Sequence, residues 1–117
     1  FSRTDDHYRE GNSVIPFLYK GRKCVIGLCG DLWDYPERFA LGEDLLFWPV
    51  YVDWTPEEWE EGAAQEYADQ ANLCCAHTLY VNSICDGDAR GGAAYFVNGT
   101  VKEELSMGEE GLLLVEV

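Results

Sequence analysis

The sequence predicts a single α+β domain spanning residues 1–117, with central strands joined through helices and tight hairpins toward the two ends. Three stretches carry this expectation. An apolar run from Val25 to Leu28 ends in a sharp turn before Pro36-Glu37, Thr55-Pro56-Glu57-Glu58 opens a long amphipathic stretch, and Asn98-Gly99 separates two short apolar runs.

Taken in order, Val14, Ile15, Phe17 and Leu18 suggest a strand over Ser13 to Tyr19, and Lys20 to Lys23 form a polar turn into the next. Val25, Ile26 and Leu28 make that next strand a buried one. Gly30 then permits tight backbone geometry, Asp34 suits a helix cap, and Pro36 suits the first turn of a helix running to Leu41. After Gly42, the nearly continuous apolar run Asp44 to Val52 predicts a strand covered on both faces and paired with the strand before it. From Thr55 the capping box and early acids predict a helix to about His77. Within it Trp59, Ala63, Tyr67, Ala71 and Cys74 form one apolar stripe, with Glu60, Glu61, Glu66 and Asp69 facing water. Strands follow over Thr78 to Cys85, Ala93 to Phe96, Val101 to Leu105 and Leu112 to Val117, the middle two forming a hairpin.

A chain of 117 residues that is 47% hydrophobic and 14% aromatic has material for a real core. A formal net charge of −14 and a pI near 4.2 exclude nucleic acid and anionic membrane surfaces as partners, because phosphate contacts need clustered Lys and Arg. No apolar run approaches the roughly 20 residues of a membrane span, and Phe1 begins a polar segment without signal-peptide character. These features predict a soluble, cytoplasmic protein. The five cysteines lack the spacing of a secreted disulfide framework and read as free thiols.

Among those thiols Cys29 stands apart, because it lies at the end of a strand just before a turn into a helix. A thiol there is exposed beside amide N–H groups able to receive a developing oxyanion, with Gly30 the nearest. Cys24 alternates within the same strand and reads as core. Cys74 and Cys75 are neighbours on a helix, so their side chains diverge by about 100° and share one metal poorly. No metal or organic cofactor is expected. His7 and His77 offer no pattern that would hold an imidazole against a thiol. Asp86-Gly87-Asp88-Ala89-Arg90-Gly91 departs from a calcium loop, since Arg90 takes a ligand position and Val97 stands where a bidentate Glu is needed. Asn98-Gly99-Thr100 reads first as a hairpin turn rather than a glycosylation acceptor.

The stretch Cys29-Gly30-Asp31, then Leu32 to Tyr35, then Pro36-Glu37 resembles the nucleophile motif of the nitrilase superfamily, the carbon–nitrogen hydrolases. Its spacer is about one residue longer than the commonest form. The later segments resemble this family in order: a strand through Trp48-Pro49, a long helix, a strand closing on Val81-Asn82, and a Gly-rich approach to a hairpin. The resemblance covers nearly all of the chain, as the C-terminal half of such an enzyme. It implies half of an α-β-β-α sandwich with helices outside, and hydrolysis of a small-molecule, non-peptide amide or related C–N bond through a thioester on Cys29.

In that family a Glu base and an oxyanion-stabilising Lys normally precede the segment present here. Residues Phe1 to Asn12 resemble the stretch after that Lys, where a supporting carboxylate often sits. Asp5, Asp6 and Glu10 are candidates, Asp6 being taken as catalytic alongside Cys29 and Gly30. By the same resemblance Asn82 lines the pocket and Asp86 or Arg90 reads a polar substrate group, a solvated turn being the alternative, while Trp48, Tyr51 and Trp54 form either an aromatic wall or a core or oligomer contact. A sheet face left by the missing half implies a homo-oligomer or pairing with an N-terminal half. The alternative is a catalytically incomplete fragment or a non-enzymatic binding module of the same fold.

Overall fold

The computed structural model describes residues 11–86 and 88–117. One six-stranded mixed sheet runs in chain order: β1 (Phe17–Tyr19), β2 (Arg22–Ile26), β3 (Leu45–Val50), β4 (His77–Asn82), β5 (Ala93–Val97) and β6 (Thr100–Leu105). The central pairs β2–β3 and β3–β4 are parallel, and the outer pairs are antiparallel. Parallel neighbours need a crossover, and two helical segments supply them. Between β2 and β3 lie α1 (Asp31–Asp34) and a 3₁₀ turn (Pro36–Phe39); between β3 and β4 lie α2 (Pro56–Glu58), a π-helical stretch (Trp59–Ala63) and α3 (Ala64–Asn72). Among the described residues no helix is long and apolar enough to cross a membrane.

The capping box forms as its residues dictate. Thr55 Oγ1 accepts from the Glu58 N–H and Glu58 Oε1 accepts from the Thr55 N–H, each at 3.1 Å. The predicted stripe is the packed face: Trp59, Ala63, Tyr67, Ala71 and Cys74 are all buried. They lie on Val25, Leu46, Trp48, Val50, Tyr80, Ala94 and Phe96, one face of the sheet, together forming the core.

Several boundaries differ from the sequence expectation. The helix ends at Asn72 rather than near His77, which opens β4 instead. β1 is shorter than predicted, and residues 112–117 form no strand. Asp34 does not cap a helix over 36–41. Gly30 is the N-cap of α1, which follows the elbow immediately, and Pro36 begins only a 3₁₀ turn. The tight start depends on Gly27, where a Cβ would come within 2.0 Å of Leu32 Cδ1 and 3.3 Å of Phe39 Cδ1. Leu32 is fully buried, so its displacement has to be absorbed by the core around it. Gly27→Ala is therefore expected to destabilise the fold by about 1–3 kcal/mol through overpacking, measured by denaturant unfolding; an unchanged midpoint would show that Leu32 repacks freely.

β3 is not covered equally on its two faces. Ile26, Phe47, Leu79 and Tyr95 are in register on the face away from the helices. There Ile26 is 49% exposed and Val81 51% exposed, although Tyr95 at the far end is buried. Near Tyr95 the face is partly covered by residues 114–116, which line a hollow with Tyr95, Lys102 and Glu103.

Candidate active site

Cys29 stands just past β2 with φ at +43°. The other two non-glycine residues with positive φ among those described, Lys20 and Asn98, each precede a glycine in a hairpin turn. Cys29 alone takes this conformation where strand passes into helix, a geometry that costs a β-carbon-bearing residue of order 1–3 kcal/mol. The strained residue is held by β3: its N–H donates to Pro49 O at 3.0 Å, and its carbonyl accepts from Trp48 Nε1 at 2.9 Å. The thiol is exposed. Among the described residues its Sγ has one hydrogen-bond partner, the Tyr51 carbonyl, at 4.0 Å.

Three residues expected at the site, Asn82, Trp54 and Arg90, meet around the segment 51–54 that follows β3. Asn82 is buried, and its side-chain amide brackets Val52, accepting from the N–H and donating to the carbonyl at 3.0 Å each. Arg90 Nη1 donates to the carbonyls of Asp53 at 2.7 Å and Trp54 at 3.2 Å. A third tie runs from the Tyr51 hydroxyl to Asp88 Oδ2 at 3.1 Å. The neighbouring Cys85 thiol first, then partial loss of solvent and the Asp88 carboxylate, push the Tyr51 phenol up. The segment whose Tyr51 carbonyl faces the Cys29 thiol is thus clamped from β4 and from the loop 83–92 that follows it.

Trp54 Nε1 is buried without a hydrogen-bond partner among the described residues. Its ring meets Tyr67 edge-on at 6.2 Å, and burial pushes the Tyr67 phenol up. Trp48 does not join an exposed aromatic wall. It is fully buried on the helix side, stacked on Tyr67 at 5.1 Å. The alternation Leu46, Trp48, Val50 is the sequence signal for that side. Asp6 lies outside the described residues, as does His7.

The remaining thiols differ from Cys29. Cys24, Cys74 and Cys75 are buried, and only Cys85 shares the exposure of Cys29. Burial, with Glu43 nearby, pushes the Cys74 thiol up to about 12, which keeps it protonated and inert near neutral pH.

Neither a family model nor a curated protein matches the sequence. Solved structures do match. Glutamine-dependent NAD+ synthetase from Acinetobacter baumannii superposes with a TM-score of 0.68 at 20% identity, over 90% of this chain and 21% of that one. An amidase of the nitrilase superfamily from Nesterenkonia AN1 gives 0.61 at 16% identity, over 86% of this chain and 40% of that one. XC1258 from Xanthomonas campestris, a CN-hydrolase superfamily protein, gives 0.59 at 18% identity, over 88% and 43%.

The chain has part of the fold of the nitrilase-superfamily amidase and of the CN-hydrolase superfamily protein. The chain spans less than half the length of each of these three proteins. In one structure of the Nesterenkonia amidase the acetamide moiety of fluoroacetamide is added covalently at the active-site cysteine. The Xanthomonas protein carries an arsenic adduct in its active site.

Proposed function

We propose that this chain is the nucleophile-bearing part of a carbon–nitrogen hydrolase that cleaves a small-molecule, non-peptide amide through a thioester on Cys29. The observation that carries this reading is the positive φ of an exposed cysteine at a strand-to-helix elbow, a strained geometry of the kind kept where a nucleophile must project. The Cys29 sulfur attacks the amide carbonyl and its proton passes to a base. The oxyanion is received by the Gly30 N–H; the C–N bond then breaks and the amine leaves with the proton. Water adds to the thioester, releasing the acid and restoring the thiol.

A carbonyl cannot serve as the base, and Tyr51 O is the one partner of Sγ among the described residues. By the family resemblance, the base and a Lys are proposed to come from chain preceding Phe1, with Asp6 as a supporting carboxylate. Asn82 and Arg90 serve by fixing segment 51–54, and Trp54 lies in the stretch that would wall the amide. The protein is proposed to work in the cytoplasm, with no cofactor, as a homo-oligomer or paired through its open sheet face.

The test is mass spectrometry of the native protein quenched during turnover of small aliphatic amides. The expected result is an acyl adduct on the peptide containing Cys29; an adduct confined to Cys85, or hydrolysis with no adduct and no dependence on Cys29, overturns the reading.

A further inference from the structure

We propose that Trp48 is a positioning residue that pins the Cys29–Gly30 peptide, and so aims the Gly30 N–H at the oxyanion. The inference rests on the hydrolase reading of Cys29 and goes beyond it in naming what holds the oxyanion donor. The Cys29 carbonyl and the Gly30 N–H belong to one peptide unit, and no peptide bond among the described residues is cis. In a trans peptide those two groups point in opposite directions. Fixing one therefore fixes the other. Trp48 Nε1 donates to the Cys29 carbonyl at 2.9 Å.

A pin is needed here for two reasons. Gly30 accepts a wide range of φ, and Cys29 at +43° gains by relaxing, so this peptide is free to flip unless something holds it. The Cys29 N–H to Pro49 O bond fixes the preceding peptide, not this one. Trp48 is itself held rigidly: it is fully buried, stacked on Tyr67 at 5.1 Å, edge-on to Tyr80 at 6.0 Å and tilted against Trp33 at 6.3 Å. Consecutive β3 residues, Trp48 and Pro49, thus grip both sides of the nucleophile.

The test separates reactions that need the oxyanion donor from those that do not. Propionaldehyde adds to a thiol as a hemithioacetal whose oxygen occupies the oxyanion position, whereas iodoacetamide alkylates sulfur by direct displacement. In the native protein, Trp48→Phe is expected to weaken propionaldehyde binding at Cys29 about tenfold and leave Cys29 alkylation within about twofold. Any hydrolysis should lose kcat by a similar factor with KM unchanged. Trp59→Phe, which removes the indole bond to Glu104 from the same aromatic cluster, should change none of these. If Trp48→Phe fails to fold, replacing Trp48 by β-(3-benzothienyl)alanine keeps the ring shape and removes only the N–H. Equal loss of both reactions, or of neither, in a folded variant overturns the pin alone. A wild-type protein that takes neither reagent at Cys29 overturns the hydrolase reading and the pin together.

Discussion

Replacing Cys29 by alanine or serine in the native protein is expected to lower amide turnover by about 10⁴-fold or more, because removing a nucleophile leaves only binding and oxyanion stabilisation. The fold should be unaffected. The side chain is exposed and makes a single long contact, to the Tyr51 carbonyl at 4.0 Å. Cys85→Ser, at the other exposed thiol, should stay within a few-fold of wild type. Cys29→Gly sharpens the expectation, since glycine accepts positive φ without penalty. That variant should be inactive yet as stable as wild type, or more stable by up to about 1 kcal/mol in denaturant unfolding. Near-normal turnover in Cys29→Ala would remove the nucleophile assignment. Clear destabilisation in Cys29→Gly would show that the positive φ is not a strained state maintained for chemistry.

The elbow was legible because everything it needs is local: an apolar run, a cysteine, a small residue and a helix start within about a dozen positions. The capping box at Thr55 and the turn at Asn98-Gly99 were legible for the same reason. What was not legible is tertiary. Nothing in the neighbourhood of Trp48 says that its indole reaches a carbonyl 19 positions earlier; that contact exists because β2 and β3 are parallel neighbours in a particular register. Likewise Asn82 and Arg90 were expected to face substrate, and their visible partners are the backbone groups of Val52, Asp53 and Trp54. The apolar residues of Leu112 to Val117 suggest a strand, yet none forms there. Apolarity marks burial, but pairing makes a strand, and the partner comes from elsewhere in the chain.

The open sheet face leads to the second large effect. Studied by itself, the 117-residue chain is expected to associate or to bind a hydrophobic dye strongly. Ile26 and Val81 are about half exposed, Phe17 is 39% exposed, and Phe47, Pro49 and Leu79 between them are only half-buried. Together they form a contiguous apolar surface of the kind soluble monomers keep to a few hundred Å². In the proposed sandwich a second sheet lies on this face, from chain preceding Phe1 or from another copy. Paired Ile26→Asp and Val81→Asp substitutions give the decisive contrast. In the isolated chain the new charges face water, so they should suppress dye binding and association at little cost. In the assembled native protein the same charges would be buried without partners and should destabilise it by several kcal/mol. Light scattering that shows a clean monomer with no dye binding for the unsubstituted chain would count against the sandwich. Equal tolerance of both substitutions in the native protein would show that nothing lies on this face.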